Sequence, residues 1–269
     1  MWPRHHRPRH RASPDWHLPP LKISVRHTLP APNLLTSCPP DLLDPVPCNR
    51  LKVDAPAGLI TVFPQVNEGR VTSVKFHNVP SYVVGLDLTV EVPTLGRITY
   101  DLAFGGAYYA FVQAADLGVS CDPAEVPLLV ERAMLVKRRV MEEVKLTHPL
   151  EQDLAFLYGV IVIGKARNPG HHSRNVCVFA DGEVDRSPTG TGVSARVAIH
   201  YIRGELGVGQ EIAIESVLGT VFCGSVVRET EFGPHRAVIP QIEGSAYVTG
   251  RSQLIIDPSD PLRDGFLLR

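Results

Sequence analysis

The sequence has few cysteines, little net charge and no long apolar segment. Five cysteines in 269 residues, widely spaced and without a Cys-x-x-Cys pair, indicate reduced thiols rather than a disulfide framework. No apolar run reaches the ~20 residues of a membrane span, and no apolar stretch typical of a secretory signal follows the start. The net charge of −1 favours neither nucleic acid nor a membrane as partner. We therefore expect a cytoplasmic protein.

Motifs for bound metals and nucleotides are also lacking. No pair of histidines has zinc-ligand spacing beside a carboxylate, and neither a dinucleotide-binding nor a P-loop glycine motif occurs. The sequence therefore predicts no metal, no cofactor and a small molecule as the ligand.

Proline and histidine are concentrated at the start of the chain. The first 50 residues contain 11 of the 24 prolines and 5 of the 11 histidines, and they open on a basic run rich in arginine. Because proline interrupts both helices and strands, we predict a disordered arm over residues 1–50.

The rest of the chain predicts an α+β protein with many antiparallel strands. Short apolar or alternating runs between Gly, Pro and Asn predict strands at 59–63, 71–76, 86–92, 97–102, 108–112, 157–163, 175–179, 210–215, 220–229, 236–242 and 246–256. Asp122 followed by Pro123 predicts a capped amphipathic helix that ends before His148.

The most informative segment is 185–192, Asp-Arg-Ser-Pro-Thr-Gly-Thr-Gly, which precedes an apolar stretch. Pro188 and the two glycines predict a tight turn, and Thr189 or Thr191 can cap a buried helix over 191–202. A helix N-terminus presents free N–H groups and a partial positive charge to an anion. With Asp185 just upstream, the segment offers a site for both ends of a zwitterionic amino acid.

This segment resembles the second catalytic motif of the proline racemase family, in which racemases have Asp-Arg-Ser-Pro-Cys-Gly-Thr-Gly. The resemblance covers about residues 51–269 and includes further matching stretches at 78–83, 101–110, 154–159 and 260–268. It implies two pseudo-symmetric halves like those of diaminopimelate epimerase, each a curved, mostly antiparallel sheet around a central helix. The first half is expected at 51–120 plus 250–269 and the second at 121–249. A homodimer is also implied.

The resemblance assigns roles to several residues of the segment. Asp185 is expected to pair with the substrate ammonium, although an isolated aspartate here would be an ordinary turn residue. Gly190 and Thr191 are expected to bind the substrate carboxylate through their N–H groups. Phe179 is expected either to pack on the substrate ring or to be a core residue of its strand.

Thr189 replaces the second catalytic cysteine of the racemases. Racemisation needs an acid and a base on opposite faces of the α-carbon, and a threonine hydroxyl is no base near neutral pH. Dehydration needs proton removal from one face only, followed by loss of a β-hydroxyl. The resemblance is therefore to trans-3-hydroxy-L-proline dehydratases, which have threonine here, rather than to proline racemases or hydroxyproline epimerases.

The family's first cysteine, in a Cys-Gly-His-Gly motif, has no counterpart in the sequence. Neither Cys38 nor Cys48 is followed by Gly-His-Gly, and Cys121, Cys177 and Cys223 are expected to be buried spectators. We therefore expect an incomplete first half, filled if at all by leucines 34–35 and 42–43, and impaired dehydration. A variant transcript or an incorrect gene model would account for such a chain. Two alternatives remain: an inactive protein that binds proline analogues, and a protein that keeps only an interaction surface.

Overall fold

The computed structural model describes residues 50–68, 70–247 and 255–265. Within these ranges the chain forms twelve strands and two α-helices. The strands are β1 Leu51–Ala55, β2 Gly58–Asn67, β3 Arg70–His77, β4 Ser81–Val92, β5 Gly96–Phe104, β6 Tyr108–Gln113, β7 Leu157–Gly164, β8 Ser173–Phe179, β9 Glu183–Val184, β10 Glu211–Glu215, β11 Val221–Phe232 and β12 His235–Gly244. The helices are α1 Val126–Glu143 and α2 Gly190–Ile202.

Eight of these strands close into a barrel. The sheet runs in the order β12-β11-β10-β8-β7-β6-β5-β4, and β4 returns to β12 through the pairs Tyr82–Ala237 and Ser81–Val238. Most pairs are antiparallel, while β6–β7 and β8–β10 are parallel. The hairpin of β2 and β3 extends this sheet from the other end of β12, and β1 pairs with β2. The predicted α+β class, with a curved sheet around a central helix, is confirmed.

The two helices lie on opposite sides of the barrel wall. Residues 192–199 of α2 are all buried, and α2 contacts β4, β5, β11 and β12, so it fills the barrel. The helix α1 packs on the outer surface against β4, β7 and β8. The central strands are therefore buried on both faces, which explains their continuous apolar runs. Val160 and Val162 of β7 face α1, whereas Ile161 between them packs on the α2 side.

Three glycines allow α2 to fit inside the barrel. A Cβ at Gly105, in the β5–β6 connection, would lie 2.2 Å from the Thr191 carbonyl oxygen. A Cβ at Gly192 would lie 2.3 Å from Cδ1 of Ile161, and one at Gly224 would lie 2.8 Å from Cγ2 of Val197. The helix is thus in close contact with the wall on several sides, which fixes the position of its N-terminus.

Several local expectations differ from the structure. Asp122 precedes a short 3₁₀ turn at Pro123–Glu125, but its side chain makes no capping bond and pairs instead with Arg167 and Arg174. The first helix ends at Glu143, before His148 as predicted. The predicted strand at 246–256 is wrong where the structure describes it, because residues 246–247 and 255–256 lie outside any strand.

The division into two halves stays a prediction. Strands β4–β6, which the sequence placed in the first half, close the barrel around the helix that it placed in the second. The predicted arm, apart from Arg50, and leucines 34–35 and 42–43 lie outside the described residues, as do 250–254 and 266–269 of the predicted first half.

Candidate active site

The loop that connects β9 to α2 is held by its own polar groups. The Asp185 N–H donates to the Cys177 carbonyl (3.2 Å), and the Ser187 N–H donates to Oδ1 of Asp185 (2.8 Å). The Thr189 N–H then donates to Oγ of Ser187 (3.1 Å). Short polar side chains that bond the backbone two residues on stabilise such turns. The carboxylate of Asp185 is thereby fixed at the mouth of the loop, partly exposed.

Thr189 lies beside this carboxylate rather than capping the helix. Its Oγ1 donates to Oδ2 of Asp185 at 2.8 Å, and its side chain is buried. It is the residue before α2, but its side chain makes no capping bond to the helix, so the predicted capping role is wrong. Thr189 has φ 69° and ψ 102°, a conformation that is strained for a β-branched residue and typical of functional sites.

The uncapped N-terminus of α2 lies next to this pair. The first backbone amide bonded into the helix is that of Val193, which donates to the Thr189 carbonyl at 2.7 Å. The N–H groups of Gly190, Thr191 and Gly192 precede it and have no partner within the helix. They carry the partial positive charge of the helix dipole and can donate to an anion. Donors that can hold an anion and a carboxylate that can attract a cation thus lie close together in this part of the chain.

The side chain of Thr191 faces the barrel wall. Its Oγ1 and the hydroxyl of Tyr109 share a hydrogen bond of 2.7 Å. Burial raises the pKa of the Tyr109 hydroxyl, so it stays protonated. The side chain of Thr191 is therefore bonded to the barrel wall, while its backbone N–H belongs to the N-terminus of α2.

Phe179 lies at the end of β8 and is half-buried. Its ring stacks on Tyr158, with centroids 5.4 Å apart and planes 13° apart, and Tyr158 meets Tyr109 edge to face at 5.6 Å. The ring is thus connected to Thr191 through two tyrosines. Packing supports its predicted role as a core residue of the strand, and its contact with a substrate ring stays a prediction.

A residue distant from the loop in the sequence also holds α2 in place. Nδ2 of Asn78 donates to the Gly105 carbonyl (2.8 Å) and to Oγ of Ser194 (2.9 Å), and Ser194 donates to the Gly190 carbonyl (2.9 Å). These buried bonds fasten the first turn of α2 to the β5–β6 connection. Asn78 begins the matching stretch 78–83, but no pattern in the sequence indicated that it or Ser194 would hold α2, because their partners are distant in the chain.

Cys177 is buried directly below the loop, as the sequence predicted. Burial raises the pKa of its thiol to about 12, although the neighbouring side chain of Thr189 opposes the shift. The thiol is therefore neutral and no base at physiological pH. Cys121 is also buried, whereas Cys223 is only half-buried, so the prediction of a buried Cys223 is wrong.

Residues 50–68, 70–247 and 255–265 contain neither a candidate metal site nor a candidate membrane span. In these ranges no three His, Cys, Asp or Glu side chains come together in an arrangement that could hold a metal ion. None of the helices found there has the length and apolar character needed to cross a membrane.

The fold and the site define a class of barrel proteins that enclose a helix and present its N-terminus beside an acid. Comparison with known proteins identifies the class more closely. The profile of the family described as proline racemase matches residues 42–267. The chain belongs to the proline racemase family.

Relatives within the family carry named activities. A human protein named trans-3-hydroxy-L-proline dehydratase is 45% identical over 223 residues, which are 82% of this chain and 63% of that protein. One of the same name from Colwellia psychrerythraea is 42% identical over 217 residues, 81% of this chain and 61% of that protein. The chain thus spans less than two thirds of the length of these relatives.

Solved structures support the same fold. The crystal structure of a hydroxyproline epimerase from Agrobacterium vitis, with bound trans-4-hydroxy-L-proline, superposes with a TM-score of 0.73 at 32% identity. The superposed region covers 81% of this chain and 62% of the epimerase chain.

Proposed function

We propose that this chain carries the substrate-binding part of a cofactor-independent trans-3-hydroxy-L-proline dehydratase. The observation that carries the proposal is the 2.8 Å bond between Thr189 and Asp185 beside the uncapped N-terminus of α2. The dehydratase names of relatives at 42–45% identity support it.

Binding would use the opposite charges of the imino acid. The carboxylate of Asp185 keeps a free lone pair on each oxygen beyond its two observed bonds and can accept from the substrate ammonium. The N–H groups of Gly190 and Thr191 would donate to the substrate carboxylate. They would also stabilise negative charge that develops when the α-proton leaves. Phe179 would pack on the ring.

The chemistry would be a one-way elimination. A base removes the α-proton from C2, and the 3-hydroxyl takes up a proton and leaves C3 as water, so that a C2=C3 double bond forms. The resulting enamine then transfers its N–H proton to C3 and becomes Δ1-pyrroline-2-carboxylate, whose double bond joins C2 and the ring nitrogen. Thr189 would bond the departing hydroxyl, and it would not exchange protons with the opposite face of the α-carbon as the second thiol of a racemase does. This difference favours dehydration over racemisation or epimerisation at this site.

No base is assigned. The sequence contains no Cys-Gly-His-Gly motif, and the thiol of Cys177 is neutral with its pKa at about 12. We therefore propose that the chain by itself binds proline-like acids and turns them over poorly.

Calorimetric titration with pyrrole-2-carboxylate, a planar mimic of the carbanion, tests the binding step. Asp185→Ala should weaken the affinity at least about tenfold, the loss of one charge-assisted bond. The control is Glu183→Ala, which removes an exposed carboxylate two residues upstream and should leave affinity unchanged. Equal affinity in wild type and Asp185→Ala would contradict the assignment.

Turnover of trans-3-hydroxy-L-proline, followed by the appearance of Δ1-pyrroline-2-carboxylate, tests the chemistry. Cys38→Ser and Cys48→Ser are measured alongside, because product that disappears in one variant would identify that thiol as the base. A rate equal to that of a dehydratase with the Cys-Gly-His-Gly motif would refute the expected impairment.

A further inference from the structure

A buried arginine that makes no direct ion pair with the described residues lies on α2 inside the barrel. Arg196 is 3% exposed and makes no salt bridge with any acid in the described part of the chain. Its Nη1 donates to Oγ of Ser173 (2.6 Å) and to Oδ1 of Asn175 (3.0 Å), both on β8. Its Nη2 lies 3.0 Å from Nε2 of His200. Among the described residues its hydrogen-bond partners are thus Ser173, Asn175 and His200, while Asp101 and Glu205 attract its charge without a direct bond.

Such a side chain is costly to bury. Desolvation lowers the pKa of Arg196 to about 10, which leaves it charged at neutral pH. An apolar residue of similar volume would fill the same space without that penalty. Packing alone therefore does not explain why an arginine occupies this position. One of its hydrogen-bond partners also bonds the loop of the candidate site.

That partner is Asn175. Its Oδ1 accepts from Arg196, while its Nδ2 donates to the Pro188 carbonyl at 3.1 Å. A guanidinium has donors only and a carbonyl has acceptors only, so the amide of Asn175 can serve both neighbours in just one orientation. The position of Arg196 thus decides which end of Asn175 faces the loop.

The Pro188 carbonyl belongs to the peptide group that continues into Thr189. Thr189 is held at φ 69°, where a β-branched residue is strained unless its neighbours fix it. The bond from Asn175 fixes one side of this residue, and the bond from Thr189 to Asp185 fixes the other.

We propose that Arg196 and Asn175 form a clamp that positions the 185–189 loop and with it the hydroxyl of Thr189. Both act as positioning residues. The effect of the clamp on ligand binding rests on the proposed function, whereas its effect on the loop does not.

The variant Asn175→Asp separates positioning from stability. A carboxylate at this position gains an ion pair with Arg196, so the melting temperature should hold or rise. It loses the donor to Pro188 and presents an oxygen to another oxygen, so the loop should loosen. The amide N–H groups of Asp185, Ser187 and Thr189, which are hydrogen-bonded in the structure, report this opening by hydrogen exchange.

Ser173→Ala is the matched control. Ser173 lies two residues before Asn175 on β8 and accepts from the same Nη1 of Arg196, so the variant removes a comparable hydrogen bond. No hydrogen bond joins the Ser173 side chain to the described loop. Arg196→Lys is a second test variant, which keeps the charge and loses the planar fork that bonds several partners at once.

In Asn175→Asp and Arg196→Lys, exchange at the loop amides should accelerate about tenfold, and affinity for pyrrole-2-carboxylate should weaken by a similar factor. In Ser173→Ala the melting temperature should fall, with loop exchange and affinity unchanged. Unchanged loop exchange in Asn175→Asp, or equal acceleration in Ser173→Ala, would overturn the clamp. If wild type fails to bind the ligand, the proposed function fails, and the exchange data still decide for or against the clamp.

Discussion

A methyl group added at Gly105 should damage both the barrel and the candidate site. The new Cβ of Gly105→Ala would lie 2.2 Å from the Thr191 carbonyl oxygen and 2.5 Å from the Ala195 nitrogen. Both are backbone atoms, so no side-chain rotation relieves the overlap. The helix cannot retreat, because Gly192 on another side of it already lies against Ile161.

The expected loss of stability follows from this geometry. Overpacking in a rigid core costs about 1–3 kcal/mol, and two backbone overlaps put Gly105→Ala at the upper end, about 3 kcal/mol. For a chain of this size, each kcal/mol lowers the melting temperature by about 2–4 °C, so a fall of about 6–12 °C is expected. The displaced Thr191 should also weaken the binding of pyrrole-2-carboxylate.

Thermal and urea unfolding of Gly105→Ala and a control measure this effect. The control is Gly170→Ala, where the nearest atom to the added Cβ is Oδ1 of Asn168 at 3.4 Å, an ordinary contact. The control should stay within about 0.5 kcal/mol of wild type. If Gly105→Ala also stays within that margin, the helix is not confined by the barrel as described.

Two further predictions concern the loop and an acidic site on the other side of the sheet. Thr189→Val keeps the shape of the side chain but removes the donor to Asp185, so the free energy of unfolding in urea should fall by about 1.5 kcal/mol. Thr189→Ser keeps the donor and should match wild type. Equal stability of all three proteins would contradict the bond. Burial acts to raise the pKa of Glu215, but N–H groups of Arg167 and Asn168 and the side chains of His171 and Arg174 lower it to about 2. Because the folded pKa is below the unfolded value of 4.5, the stabilisation is present above pH 4.5 and is lost as pH falls toward 2. Urea midpoints across this range should fall less steeply in Glu215→Gln than in wild type, and identical slopes would refute the assignment.

Local sequence signals located the loop and its helix closely. The helix was predicted at 191–202 and is observed at Gly190–Ile202, and the strands predicted at 157–163 and 175–179 correspond to β7 and β8. Proline, glycine and apolar runs act through the backbone of their own segment, so their effect is visible in the sequence.

The contacts and burial of individual side chains were harder to predict. Thr189 was expected to cap α2, but the turn that Ser187 forms with Asp185 brings the carboxylate within reach of its hydroxyl. Cys223 was expected to be buried and is half-exposed, since an apolar run does not tell which face of a strand is covered. Asn78, Asn175 and Arg196 gave no signal of their role.

The α+β class, the family resemblance and the loop where an acid, a hydroxyl and a helix N-terminus meet could all be predicted from the sequence, because they depend on residues that are neighbours in the chain. How that loop is held depends on contacts that form only when the chain folds. The pairing of β4 with β12 closes the barrel around α2, and the register of β8 places Asn175 between Arg196 and Pro188. These contacts join residues 13 to 157 positions apart, and their geometry depends on how every intervening strand curves and pairs.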